Sequence, residues 1–182
     1  MATTVGPPWP RQSDRPGREN RTTRSRPRIA LWISCRADTL RQTDPVDYEI
    51  DDDPTRIQSD VVWQWLSTAA YWGRWRTRAD IDGQIAGAWR VVGAYLAGTG
   101  AQVGFARAVS DGIGFAYLAD VFVLDDHRGA GLGKRIVERM IDAGPGRDMR
   151  WVLFTGDAHE LYRQYGFTEP DATAMVRPSR QG

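Results

Sequence analysis

The sequence predicts an α/β or α+β layered domain. Three observations carry this. A hairpin pattern at 91–110 runs into an apolar strand at 115–124. A glycine-rich loop then opens a helix with period-3.6 spacing. A short apolar strand and a second short helix follow. Hairpins mixed with crossover helices fit a sheet covered by helices.

The chain has 182 residues, 41% of them apolar and 26% charged, enough for one core. One cysteine, Cys35, excludes an internal disulfide framework and a cysteine zinc site. Two histidines, His127 and His159, leave little for any metal site, and none is expected. No apolar run is long enough to span a bilayer, so no membrane partner is expected. The formal net charge of +1 does not point to nucleic acid.

Residues 1–44 hold nine arginines against four acids and are rich in proline. They read as a disordered basic tail, because they offer little apolar surface against ordering entropy. Ile29–Cys35 has the apolarity of a signal-peptide core. It is short, its basic flank is long, and no small-x-small cleavage site follows. A cytoplasmic protein is therefore expected, with its folded domain over 45–182.

The elements follow in order. Tyr48–Asp51 reads as a strand, and Asp53-Pro54 as a turn. Ser59 or Asp60 caps a helix over 60–72, with Val62, Trp65, Leu66 and Ala69 on one face. Thr77 or Asp80 caps a second helix bearing Ile81, Ile85 and Trp89. Val91–Ala97 and Gln102–Ser110 pair across Gly98-Thr99-Gly100. Phe115–Leu124 is apolar on both faces except at Asp120, as in a central strand. The next helix buries Leu132, Ile136, Val137 and Met140 and stops at Gly144-Pro145-Gly146. Trp151–Phe154 is a strand, Ala158–Tyr165 a helix with Gly166 as its C-cap, and Ala174–Arg177 a last strand.

The loop Arg128-Gly129-Ala130-Gly131-Leu132-Gly133-Lys134 carries the clearest chemistry. Glycines let backbone approach an anion, and the first N–H groups of a helix have no internal partner. A pyrophosphate suits that place, with Arg128 and Lys134 adding charge. A Walker loop fails, since no serine or threonine follows Lys134. A Rossmann fingerprint fits poorly, since the spacing is Gly129-x-Gly131-x-Gly133 after a late strand. A glycine turn that merely starts a helix is the plain alternative.

Arg-x-x-Gly-x-Gly after a central strand resembles the acetyl-CoA loop of the GNAT acetyltransferase superfamily. Leu161-Tyr162-Arg163-Gln164-Tyr165-Gly166-Phe167 resembles its C-terminal helix motif, in the same order and at about the same spacing. Tyr117–Gly133, with Tyr71-Trp72 upstream, is similar to a bacterial branch of that superfamily.

The resemblance implies a mixed, mostly antiparallel sheet with a splayed central strand and flanking helices. It implies acetyl-CoA as co-substrate, with no metal. Main-chain groups of Val121, Phe122 and Val123 would lie along the pantetheine. Residues 128–134 would hold the pyrophosphate, and Tyr162 would protonate the leaving thiolate. Thr155 stands where many members place a cofactor-contacting asparagine seven residues before that tyrosine.

Asp120 has two readings. It is a proton acceptor or amine binder, or it is a structural acid at the bulge. His127 and His159 read as surface residues. Tyr71, Trp72, Trp75 and Tyr117 are candidates for the acceptor site, or for core. The expected activity is acetyl transfer to a small-molecule or peptide amine, by direct attack in a ternary complex. The rivals are another acyl-CoA or an O-linked acceptor, and a CoA-binding regulatory module with little catalysis. A homodimer is compatible with the family.

Overall fold

The computed structural model describes residues 46–70 and 72–177. The basic tail, Cys35 and Tyr71 lie outside the described residues. Nine regular elements follow. They are β1 (Tyr48–Asp51), α1 (Ser59–Thr68), α2 (Arg78–Ala86), β2 (Arg90–Leu96), β3 (Gln102–Ser110), β4 (Phe115–Val123), α3 (Leu132–Ile141), β5 (Arg150–Val152) and α4 (His159–Arg163). Short 3-10 turns occupy Pro54–Arg56 and Asp125–His127.

The strands form a single sheet in the order β1-β2-β3-β4-β5. The first four pair antiparallel, and β5 joins β4 in parallel. A parallel pair needs a crossover, and α3 supplies it between β4 and β5. The predicted layered class and mostly antiparallel sheet are therefore present.

Each face of the sheet has its own core. On one face α3 buries Leu132, Ile136, Val137, Met140 and Ile141 against Val92, Ala94, Ala106, Ala108 and Leu118. That spacing puts five apolar side chains on one stripe of the helix. On the other face Val62, Leu66 and Ile81 of α1 and α2 meet Val91, Phe105 and Phe122. β3 is buried from Gln102 to Ala108, because both layers cover it.

Most elements stand within a residue or two of their sequence limits. The capping box of α2 is present: the Thr77 side chain accepts from the Asp80 N–H, and the Asp80 carboxylate accepts from the Thr77 N–H. Four expectations need correction. Gln58 is the N-cap of α1 and makes no side-chain cap bond, so Ser59 and Asp60 lie inside the helix. That helix ends at Thr68 rather than 72. Trp89 lies beyond α2 and faces Trp151 at 6.4 Å, in the opposite core. Ala174–Arg177 forms no strand, and Met175 and Val176 there are exposed, with no sheet face to cover.

β4 carries the feature that positions the site. Phe105 pairs with Phe122 and Arg107 with Ala119, so two residues of β4 oppose Ala106 alone. That is a β-bulge, which leaves a residue unpaired and bends its strand. Asp120 sits in it with φ +53°, the sole non-glycine residue with positive φ among the described residues. On its other side β4 pairs with β5 only from Phe115 to Tyr117. From Leu118 onward the two strands have parted, so that edge of β4 has no strand partner among the described residues.

Candidate active site

A cleft of about 360 Å³ opens at the N-terminus of α3. Val123, His127, Arg128, Gly129, Gly131, Leu132, Gly133, Lys134 and Leu161 line it. The loop enters the helix through two left-handed glycines, Gly129 at φ +85° and Gly131 at φ +75°. Gly131 is the N-cap of α3. Other residues reach that region at a cost of roughly 1–2 kcal/mol. A Cβ at either glycine would meet nothing within 4 Å, so open space lies in front of this backbone. The early N–H groups of α3 and the positive end of its dipole suit an anion there. The exposed Lys134 and Arg128 add cationic charge, although Arg128 also pairs with Asp125 at 2.9 Å. These residues fit a pyrophosphate.

The cleft begins where β4 has left β5. Val123 lies at both, on the strand end and in the cleft wall.

A second cluster lies at the bulge, on the face covered by α1 and α2. Arg76 binds both oxygens of Asp120, Nη1 to Oδ2 at 2.9 Å and Nη2 to Oδ1 at 3.0 Å. Arg107 Nε donates to Oδ2 at 2.6 Å, and Trp72 Nε1 to Oδ1 at 3.3 Å. The Asp120 and Arg76 side chains are each 4% exposed, and that of Arg107 is 11%. Burial alone would raise the Asp120 pKa, but the Arg76 hydrogen bond and the Arg107 charge outweigh it and hold it below the usual carboxylate range. Gly73 makes room for this packing, since a Cβ there would stand 2.9 Å from Arg76 Nη2 and 2.6 Å from the Leu66 carbonyl.

The chain itself now meets its relatives. The family model described as "Acetyltransferase (GNAT) domain" matches residues 79–169, half of the chain. A Gibberella zeae acetyltransferase candidate, FG08082, is 31% identical over 142 residues, 70% of this chain and 77% of that one. This chain belongs to the GNAT acetyltransferase family. A crystal structure of a GNAT acetyltransferase candidate from Xanthomonas campestris shares 32% identity at TM-score 0.68, over 74% of this chain and 95% of that one. Glucosamine-6-phosphate N-acetyltransferase from Arabidopsis thaliana shares the fold alone, with 15% identity and TM-score 0.51 over 72% of this chain and 98% of that one.

Against this GNAT frame the expected residues fall into three groups. Arg128, Gly129, Gly131, Leu132, Gly133 and Lys134 line the cleft together, while Ala130 is exposed outside its wall. Val121 and Val123 pack against the α3-side core, to which Tyr162 also belongs. Phe122 turns its ring the other way and stacks on Trp65 at 4.3 Å.

Tyr162 is 8% exposed and meets Phe167 edge-on at 5.8 Å. Burial pushes its phenol up to about 12, with Asp157 adding to the shift. The Thr155 hydroxyl oxygen accepts from the Ala158 N–H at 3.1 Å, so it caps the entry to α4. Tyr165 donates to the Lys134 carbonyl at 2.8 Å and ties α4 to the first turn of α3.

Of the acceptor candidates, Trp72 and Tyr117 lie near Asp120. Trp72 bonds it directly, and the Asp120 charge adds to the burial that raises the Tyr117 pKa. Trp75 is exposed. Arg76 was legible as one of the alternating arginines Arg74, Arg76 and Arg78, which read as a preference for an acidic acceptor or as a solvated edge; its pairing with Asp120 was not. Sequence reasoning missed three residues. Arg107 gave no local signal, because its partner is 13 residues away. Leu161 stood one residue before the tyrosine singled out. His127 was read as surface, yet it lines the cleft and its Nδ1 lies 3.0 Å from the Tyr48 hydroxyl.

Proposed function

We propose that this protein is an acetyl-CoA-dependent N-acetyltransferase that works by direct attack in a ternary complex. One observation carries the reading: the glycine cleft at the head of α3 opens where β4 has parted from β5. An anion site and an unpaired strand edge thereby lie end to end. A pyrophosphate joined to an amide-bearing arm needs those two surfaces in that order.

Residues 128–134 would hold the pyrophosphate, and the free edge of Val121–Val123 would offer main-chain groups to the arm. Bound acetyl-CoA supplies an activated acetyl thioester. Backbone N–H groups on the free edge would stabilise negative charge on an oxygen during attack. Tyr162 stays protonated across the working pH range, because its phenol is pushed up to about 12. It would donate that proton to a leaving thiolate. Asp120 is assigned to holding the bulge, since its oxygens already accept from Arg76, Arg107 and Trp72. The acceptor would enter over Tyr117 and Trp72.

Calorimetric titration with acetyl-CoA, followed by thiol release across a panel of amines, tests the reading. Micromolar binding with turnover on an amine supports it. Binding without turnover on any amine favours a regulatory CoA-binding module. No binding means that the glycine loop is only a turn.

A further inference from the structure

The cluster at the bulge is unbalanced. Two guanidinium groups, Arg76 and Arg107, face one carboxylate, Asp120. Gln84, the other group on Arg76 Nη1 at 2.8 Å, is neutral. Asp80 also feels Arg76, but it is exposed and committed to its capping box. Among the described residues one positive charge is therefore left inside the protein, where charge is costly unless paired.

The donors tell the same story. Arg76 Nε is buried and has no hydrogen-bond partner. Arg107 spends only Nε on Asp120, and neither of its Nη nitrogens bonds a described residue. A guanidinium with a free Nη edge matches the two oxygens of a carboxylate.

Arg107 and Asp120 sit just past Tyr117, the last β4 residue paired to β5, at the point where the strand edge becomes free. Beyond them the sheet is more open: Val109 and Phe115 are exposed, and the half-buried Tyr117 ring meets the exposed Phe154, with ring centroids 5.9 Å apart. Exposed aromatic rings of Phe115 and Phe154, with Tyr117 beside them, thus lie next to a buried cation.

We propose that Arg107, backed by Arg76, binds a carboxylate on the acceptor, so that the substrate is an amine that carries a carboxylate. This rests on the transferase reading above. The single uncompensated charge selects a monoanion. A phosphate dianion would overshoot it. Asp120 then has a positioning role: it aligns both guanidiniums and leaves the Nη edge of Arg107 open.

The test uses product analogues, so it does not depend on turnover. Binding of N-acetylglycine and N-acetyl-L-phenylalanine, each against its carboxamide, is measured by saturation-transfer NMR on the wild type, Arg107→Gln and Arg107→Lys. The acids are expected to bind at least tenfold tighter than the amides. Arg107→Gln erases the preference, and Arg107→Lys keeps part of it. Acetyl-CoA affinity stays within twofold in both variants. Equal binding of acid and amide, binding of neither, or a preference that survives Arg107→Gln overturns the proposal. If Arg107→Gln does not fold, the wild type and Arg107→Lys decide. A wild type that prefers the acids yet fails to bind acetyl-CoA supports the carboxylate site and overturns the transferase reading.

Discussion

Arg107 Nε and Asp120 Oδ2 meet at 2.6 Å across the register slip between β3 and β4. The contact joins two things that are costly apart. Asp120 holds a left-handed backbone at φ +53°, and Arg107 holds a charge almost out of water. Aspartate is among the few non-glycine residues that tolerate that backbone. Among the described residues its carboxylate is also the only acid paired with both buried guanidiniums. The bulge and the ion cluster therefore depend on one side chain.

Asp120→Asn tests that dependence. Asparagine tolerates the same backbone, so the change removes charge more than shape. Breaking a buried pair leaves charge uncompensated, at a cost of about 3–5 kcal/mol. Urea unfolding at pH 7 would show this loss. The sign with pH follows from a carboxyl lowered in the folded state: its contribution is present above the ordinary value of 3.8 and is lost as pH falls through the lowered one. The gap between wild type and variant therefore narrows only in acid below pH 3.8. An equal gap at all pH values would mean that the carboxylate charge is not what holds the cluster.

Gly131→Glu places a carboxylate and a strained backbone at the N-cap of α3. Acetyl-CoA affinity is expected to fall at least ~100-fold, since an anion then occupies the place proposed for the pyrophosphate. Gly131→Ala separates the causes: it carries the left-handed strain, about 1–2 kcal/mol, without the charge. Its affinity should fall far less. Retained affinity in Gly131→Glu would show that the cleft does not bind the cofactor.

Tyr162→Phe removes one hydroxyl from a buried ring. Turnover is expected to fall ~100-fold, within the range for loss of a general acid, while acetyl-CoA affinity changes by less than about twofold. The wild-type rate should show no tyrosine inflection below pH 10, because burial pushes the phenol up to about 12. Turnover that is unchanged in the variant would remove Tyr162 from the chemistry.

Gly83→Ala is a prediction about stability alone. Gly83 lies inside α2, is exposed, and a Cβ there would meet nothing within 4 Å. Alanine should stabilise the protein by ~1 kcal/mol through helix propensity. Thermal unfolding would register this as a rise in Tm with acetyl-CoA affinity unchanged. A fall in Tm would mean that α2 uses the glycine for some other purpose.

The sequence by itself determined the elements whose causes are local. Thr77 and Asp80 close a capping box three residues apart, and Leu132, Ile136, Val137 and Met140 lie on one stripe at helical spacing. The glycine-lined cleft was legible for the same reason: left-handed glycines and the helix they open lie within six residues. Residues 174–177 read as a strand because alternation cannot tell whether a sheet edge is there to receive them. Only the tertiary structure decided the cluster at the bulge. Arg76, Arg107 and Asp120 lie on α2's approach, on β3 and on β4, and nothing in their spacing brings them together. An ion pair depends on distance in space, and that distance was set when the two helices and the slipped strand packed around one acid.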